Sequence, residues 1–181
     1  ADLRPAFART QADGTFLDVK DVVDLRLNVS TLRAVTTYLR ARDAERFPAL
    51  IKMTESVELF PDIEREIERI INKYGEVKDT ASPQLAEIRR SILSAQSSIS
   101  KTLNAILRQA QASGIVDKEA APTIREGRLV IPVSAMNKRK IQGIIHDESA
   151  TGKTAFVEPT AVVEVNNRLR ELENEERREI I

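Results

Sequence analysis

The apolar residues of this chain follow a helical rhythm in one region and an extended rhythm in another. After Pro83, apolar side chains recur every three or four residues up to a stop at Gly114. They are Leu85, Ile88, Ile92, Ala95, Ile99, Leu103, Ile106 and Ala110. Ser82 suits the N-cap and Pro83 the first helical position, so the pattern predicts a helix about 45 Å long. Because the stripe is narrow and aliphatic, we expect this helix to pair with one other.

The end of the chain offers that second helix. Beyond Pro159 the three-four spacing returns at Val162, Val165, Leu169 and Leu172, until Glu176 falls on the apolar seam. Glutamate and arginine residues occupy the positions off this seam, as the solvated side of a paired helix requires. We therefore predict two long antiparallel helices that pair as in a coiled coil.

Between these helices the chain has a strand-like composition. Three segments are rich in β-branched or aromatic side chains and are separated by polar turns: residues 128–133, 141–147 and 154–158. They predict three antiparallel strands at the tip of the helix pair. Pro132 favours an edge position for the first strand, because proline has no N–H to donate to the ladder.

The N-terminal part predicts a helical bundle. Residues 3–9 fit the end of a helix, Asp18 is a plausible N-cap of the next, and the Phe47-Pro48 pair breaks that helix before a short one at 49–53. Pro61 begins another helix, whose apolar stripe is Ile63, Ile67, Ile70 and Tyr74. Glu64, Glu66 and Glu68 lie off that stripe. They could hold a metal in principle, but an exposed charge run is the favoured interpretation.

These elements predict a mainly α fold: a helical core, a two-helix lever and a small β tip. We divide the chain into residues 1–82 (helical core), 83–126 (first lever helix and connection), 127–158 (β tip) and 159–181 (returning lever helix, truncated). The last helix keeps its helical spacing up to Ile181 without a stop signal, and the first helix begins without an N-cap. We therefore expect the chain to be an excised fragment of a longer protein.

Composition narrows the classes of function. Lys plus Arg and Asp plus Glu both number 28, so a nucleic-acid surface has to be local. The chain has no cysteine, which excludes disulfides, thiol nucleophiles and thiolate zinc sites. No apolar run reaches the roughly 18 residues of a membrane span. We expect a soluble, cytoplasmic protein without membrane contact.

Two motifs resemble catalytic or nucleotide-binding sites, but the residues around them do not fit those functions. Residues 149–154 read SATGKT, like the end of a phosphate-binding loop, but Asp147 stands where that loop needs its first glycine, and a strand follows instead of a helix. We expect a β turn.

His146-Asp147-Glu148 contains the single histidine, and adjacent strand residues point to opposite faces, so no triad or zinc site forms. We predict no catalytic, cofactor or metal site in this chain.

The basic run Lys138-Arg139-Lys140 is the candidate binding site. It follows the first strand, and Lys153 in the next turn lies close to it on our prediction. Clustered cations in an exposed turn contact phosphates without reading bases. A solvated turn is the equally plausible alternative, since Asp147 and Glu148 can offset the charge. Phe156 is expected in the core, which disfavours recognition by base stacking.

Three blocks of sequence resemble the second bacterial MutS family. They are GEVKDTASPQLAEIRR (residues 75–90), the strand block GRLVIPV…GIIHDESATGKTAFVEP (127–159) and AVVEVNNRLRELENEERREI (161–180). The segment DLRPAFAR (2–9) lies where that family's core domain begins. The resemblance covers nearly the whole chain, in the family's order and spacing.

The resemblance implies the non-catalytic core, lever and clamp region of such a protein. The parent would be a dimeric ATPase that uses ATP and Mg²⁺ in a later domain, with a possible Smr endonuclease domain. It would bind branched or duplex DNA, suppress homologous recombination and, in some members, engage ribosomes and rRNA. DNA and the ribosome stay open as alternative targets. A purely structural or dimerisation module, in which the helices contact protein, is the rival hypothesis.

Overall fold

The computed structural model describes residues 1–42 and 45–181, which form two compact units. The first comprises residues 1–86 with Ile180 and Ile181, and the second comprises residues 87–179. None of the helices in these described ranges has the length and apolar character needed to cross a membrane.

The first unit is helical. Its helices are α1 (Arg4–Arg9), α2 (Val19–Arg40), α3 (Pro48–Glu55) and α4 (Pro61–Ile70), followed by a 3-10 turn at Asp79–Ala81. Asp18 caps α2 as predicted, because its carboxylate accepts a hydrogen bond of 2.8 Å from the Asp21 amide. The buried apolar side chains of this unit are Leu3, Ala6, Val29, Ile67, Ile71 and Leu85.

The apolar stripe predicted on α4 is only partly correct. Ile67 is buried, but Ile63 is 42% exposed, and Tyr74 lies beyond the helix and is 75% exposed. Glu64, expected in solvent, is buried instead, and its two carboxylate oxygens accept hydrogen bonds of 2.7 and 2.8 Å from Arg33 on α2. A planar guanidinium matches a carboxylate in this bidentate geometry, which makes burial of the charge tolerable.

The second unit is built around α5 (Pro83–Ala112) and α6 (Thr160–Ile180). The helices are antiparallel: Arg89, near the start of α5, bonds Glu176, near the end of α6, at 2.6 Å. The seam residue Glu176 is thus neutralised by a cation of the facing helix. The hydroxyl of Ser82 accepts a 3.0 Å bond from the Leu85 amide, which confirms the predicted cap of α5.

A four-stranded antiparallel sheet lies between α5 and α6 in the sequence. Its strands are β1 (Thr123–Arg125), β2 (Arg128–Ser134), β3 (Gly143–Glu148) and β4 (Thr154–Pro159), in the spatial order β1-β2-β4-β3. The prediction of three strands was short by β1, a three-residue strand that pairs with the first half of β2. Pro132 pairs with β4 alone, so at this position β2 has a neighbour on one side, as proline requires.

One face of the sheet shares a single apolar core with both helices. The core includes Ile99, Leu103 and Leu107 from α5, Ile131 and Val133 from β2, Val157 from β4, and Val162, Leu169 and Leu172 from α6. Ile131 is paired with Val157 and Val133 with Ala155, which places these side chains on the same face. The sheet is therefore packed against both helices.

Candidate nucleic-acid interface

The predicted basic run lies in the connection from β2 to β3, which is pinned at both of its ends. At the start, the Ala135 amide donates a 2.9 Å bond to the carbonyl of Lys153, and the Asn137 side chain donates a 3.1 Å bond to the carbonyl of Ile115. At the end, the carbonyl of Gln142 accepts a 3.0 Å bond from the Thr160 amide. The main chain that carries Lys138, Arg139 and Lys140 is therefore held in place.

This connection is not the hairpin turn that the sequence predicted. Strand β4 lies between β2 and β3 and pairs antiparallel with both, so β2 and β3 run in the same direction. Residues 135–142 must therefore pass from one end of β4 to the other. The correction follows from strand order, which alternating hydrophobicity cannot reveal.

Three of the four candidate residues lie on the crossover, and Lys153 lies in the turn between β3 and β4. Lys153 lies at the start of β4, and Lys138 bonds Glu148, whose strand position is opposite Ala155. Lys140 instead lines a cleft of about 460 Å³ together with Pro159 and Thr160, at the other end of β4. Lys138 and Lys140 therefore lie towards opposite ends of β4, and the basic residues do not meet in one turn.

The charges of these residues are compensated unequally. Lys138 is half-buried, and its ammonium lies 2.7 Å from the Glu148 carboxylate. Arg139, Lys140 and Lys153 are exposed, and within residues 1–42 and 45–181 no ion pair involves them. Asp147, the other acid expected to offset the run, lies 3.4 Å from Arg125 instead. Arg139 and Lys140 on the crossover and Lys153 in the β3–β4 turn are thus exposed to solvent.

The SATGKT segment forms a tight turn between β3 and β4, as predicted. The Gly152 amide bonds the Ser149 carbonyl at 2.7 Å, and Gly152 has a φ of +65°, which glycine adopts without strain. The hydroxyl of Ser149 accepts a 3.1 Å bond from the Thr154 amide. These groups bond one another and a strand follows, so the segment has no phosphate-binding loop geometry.

Phe156 is buried, as expected, and it is covered by a cation. The guanidinium of Arg125 lies 4.0 Å from the centre of its ring. The same guanidinium is paired with Asp147. The ring is consequently not available to stack on a nucleic-acid base.

A buried polar cluster that the sequence did not predict joins β2, β3 and β4 to α6. Glu158 on β4 is fully buried, and its carboxylate is bonded by Arg128 on β2 at 2.7 Å, His146 on β3 at 2.6 Å and Asn166 on α6 at 2.6 Å. Arg128 also bonds Asn167. Since a carboxylate only accepts hydrogen bonds when ionised, the Nε2 atom of His146 is the donor.

His146 reaches Glu158 because of a β-bulge. In the register, Ile145 pairs with Val157 and Asp147 with Phe156, which leaves His146 as the extra residue of β3. His146 and Asp147 therefore have different partners, in agreement with the prediction that they do not converge. The Nδ1 atom of His146 lies 3.7 Å from the carboxylate of Glu126.

The cluster fixes Glu158 in its ionised form. Burial by itself raises the pKa of Glu158, but hydrogen bonds from His146, Asn166 and Arg128 outweigh this and hold the pKa below its ordinary value of 4.5. Arg128, His146 and Asn166 each bond the Glu158 carboxylate, and within residues 1–42 and 45–181 no group of three or more potential ligands could hold a metal. The cluster therefore ties three strands to α6.

The sequence contained a signal for this cluster. Glu158 follows Phe156 and Val157 in a segment otherwise suited to a buried strand, and a buried carboxylate needs hydrogen-bonded cationic partners. Arg128 and the single histidine lie on the two other segments predicted as strands. Pairing these three residues requires the strand order, which was not known from the sequence.

Known proteins with similar sequences bear the name Endonuclease MutS2. Those of Pelotomaculum thermopropionicum and Symbiobacterium thermophilum are each 38% identical over 179 residues, which is 99% of this chain. That of Thermomicrobium roseum is 39% identical over 194 residues, or 98% of this chain. The chain is homologous to a segment of MutS2. The resemblance to the second bacterial MutS family, found in three blocks of sequence, is thereby confirmed.

The homology covers a limited part of these relatives. The chain spans 22% of the length of the first two MutS2 proteins and 24% of the third. No protein-family model matches the chain. The name endonuclease thus refers to proteins more than four times as long as the segment described here.

Proposed function

We propose that this chain is a non-catalytic, nucleic-acid-binding region of a MutS2-like protein. It contacts the phosphate backbone through Lys138, Arg139, Lys140 and Lys153. The observation that carries the proposal is the set of exposed cations on a crossover whose main chain is pinned at both ends and in the adjoining β3–β4 turn. Homology to MutS2 over 99% of the chain supports it.

The arrangement suits contacts with phosphates better than contacts with bases. From Ala155 to Pro159, strand β4 is about 13 Å long, at about 3.3 Å per residue. The crossover runs beside this length, which equals about four phosphate spacings of 3.4 Å along one DNA strand. Lysine and arginine side chains along this length neutralise phosphates and give salt-dependent affinity. The burial of Phe156 leaves no aromatic platform at this site.

The test is the salt dependence of binding. The chain is titrated into fluorescein-labelled duplex DNA, junction DNA and structured RNA at several salt concentrations. Replacing Arg139, Lys140 and Lys153 with alanine is expected to weaken binding and to reduce the slope of log Kobs against log salt by roughly 2.7 on duplex DNA, or about 0.9 per phosphate contact. An unchanged affinity and slope would refute the proposal.

A charge-matched control separates this site from the general charge of the chain. Lys101 and Arg108 on α5 and Arg170 on α6 are exposed, and replacing them with alanine removes the same three positive charges. We expect this control to bind nearly as the original chain does. Equal losses in the two triple variants would show that net charge, and not the crossover, governs binding.

The remaining activities implied by the family are proposals for the whole protein. We propose that it is a cytoplasmic homodimer with ATP and Mg²⁺ bound outside these 181 residues, and that it acts on branched DNA or on ribosomes to limit recombination or to rescue translation. A possible Smr endonuclease domain would also lie outside them. Deleting residues 128–158 from the whole protein and testing both branched DNA and ribosomes distinguishes the targets. Loss of binding to one of them names the target of this sheet.

A module that contacts protein is the rival proposal. Its supporting observation is the exposed apolar surface of α2, where Leu27, Val35 and Tyr38 are 58%, 51% and 61% exposed. If this surface pairs two copies of the chain, light scattering shows a concentration-dependent dimer, and a Leu27→Glu, Val35→Glu variant is monomeric. A monomer at all concentrations rejects the pairing of two copies through this surface.

A further inference from the structure

Lys138 differs from the other three cations of the proposed binding site. Its ammonium is paired at 2.7 Å with Glu148, the last residue of β3, whereas Arg139, Lys140 and Lys153 have no ion pair among the described residues. Lys138 retains 34% of its side-chain exposure and Glu148 retains 45%. The pair is therefore within reach of a ligand in solvent.

Both partners of the pair are positioned in advance. The residue before Lys138, Asn137, is fixed to the Ile115 carbonyl, and Glu148 is held in the ladder opposite Ala155. Since little main-chain freedom is lost when the pair forms, it is more persistent than a pair between two flexible surface side chains. In the free protein the carboxylate thus occupies the place that a phosphate oxygen would take on Lys138.

We propose that Glu148 is a built-in competitor that withholds Lys138 from nucleic acid. This inference rests on the proposed function of the crossover and adds its regulation. A lysine ammonium has three N–H donors and could bond a carboxylate and a phosphate at the same time. Doing so would bring two anions close together, and these repel each other. Phosphate binding at Lys138 must either displace Glu148 or tolerate its repulsion, and both weaken the complex.

The expected effect is set by the strength of a solvent-accessible pair. Such pairs contribute a coupling that corresponds to a factor of up to about five in an equilibrium constant. Glu148→Gln keeps the size of the side chain and removes the charge. We expect it to raise the affinity of the chain for a labelled DNA duplex about two- to five-fold at low salt, and to steepen the salt slope by up to about 0.9, since one more phosphate is neutralised.

A double-mutant cycle separates competition for Lys138 from a general loss of negative charge. The gain from Glu148→Gln is measured with Lys138 present and again in a Lys138→Ala background. Competition predicts a larger gain and a steeper slope only when Lys138 is present. Asp147→Asn is the matched control. It removes one negative charge from the residue next to Glu148, and Asp147 is paired with Arg125 instead of Lys138.

The outcomes discriminate between this inference and the proposed function. A Glu148→Gln gain that exceeds both the Asp147→Asn gain and the gain without Lys138 supports the inference. Equal gains in both backgrounds, or no gain in a chain that binds DNA, overturn it while leaving the crossover as the binding site. If none of the variants binds nucleic acid, the proposed function and this inference both fail.

Discussion

The buried carboxylate of Glu158 provides the sharpest test of the structure. Glu158→Gln retains the shape of the side chain but leaves the guanidinium of Arg128 without its counter-charge. Removing one partner of a buried pair costs about 3 to 5 kcal/mol. Because Arg128 is 17% exposed and keeps its bond to Asn167, we expect the lower end, about 3 kcal/mol.

Urea denaturation measured by circular dichroism tests this magnitude. With a slope of about 1 to 3 kcal/mol per molar urea, a loss of about 3 kcal/mol lowers the midpoint by about 1 to 3 M. Glu171→Gln is the control: Glu171 is exposed and pairs with the exposed Arg168, so its loss is expected to change stability by less than about 0.5 kcal/mol.

The pH dependence gives an independent check of the same group. Because the folded-state pKa of Glu158 lies below its unfolded value, its contribution is complete above the unfolded pKa and is lost as the pH falls through the folded pKa. Glu158→Gln should therefore lose less stability than the original chain on acidification. Equal midpoints and equal acid sensitivity in the two proteins would refute the assignment of a buried, ionised Glu158.

Three further perturbations test other parts of the fold. Gly143→Ala places a Cβ 2.1 Å from the Glu158 carbonyl oxygen, so urea denaturation should show a loss of at least about 1 to 3 kcal/mol as β3 separates from β4. Ser82→Ala removes the cap of α5 and should cost about 1 kcal/mol in the same assay. Arg33→Met removes the hydrogen bonds that lower the pKa of Glu64, and that pKa should rise in a side-chain NMR titration.

Each perturbation has a control of the same kind. Gly127→Ala meets no atom within 4 Å, so it reports only the cost of a φ of +75°, about 1 to 2 kcal/mol. Ser97→Ala lies in the exposed middle of α5 and should not destabilise the helix. Arg65→Met breaks only an exposed pair with Asp62 and should leave the Glu64 titration unchanged. A control that changes as much as its test variant would contradict the assigned contact.

Local patterns predicted most helices and the strand segments because their causes are local. Caps at Asp18 and Ser82, and prolines at the start of α3, α4 and α5, act within one helical turn. The apolar stripe on α5 identified the buried side except for Leu107, which joins the core one position beside Ile106. Helical periodicity is sufficient where one face of a long helix is covered.

Features that depend on distant pairing were missed. The central position of β4 turns a predicted hairpin into a crossover, and it spreads Lys138 and Lys140 towards opposite ends of the strand. Glu64 looked exposed because the helical stripe gives no information about Arg33, which is 31 residues away. Charge compensation of the basic run by Glu148 was expected from the sequence, but the pairing of Asp147 with Arg125 instead of with the run was not. Tertiary contacts overrode the local pattern at each of these positions.

The bulge at His146 lies on the border strand β3, where we expect it to hinder self-association of the sheet. Strand β3 is bonded only to β4, and Ile144 and Ile145 are 48% and 41% exposed beside its open backbone groups. A flat border of this kind would recruit a second molecule and seed fibrils. The extra residue twists the strand, and the ion pairs of Asp147 and Glu148 place charged side chains next to it. Deleting His146 would straighten this border and leave the protein prone to aggregate on storage.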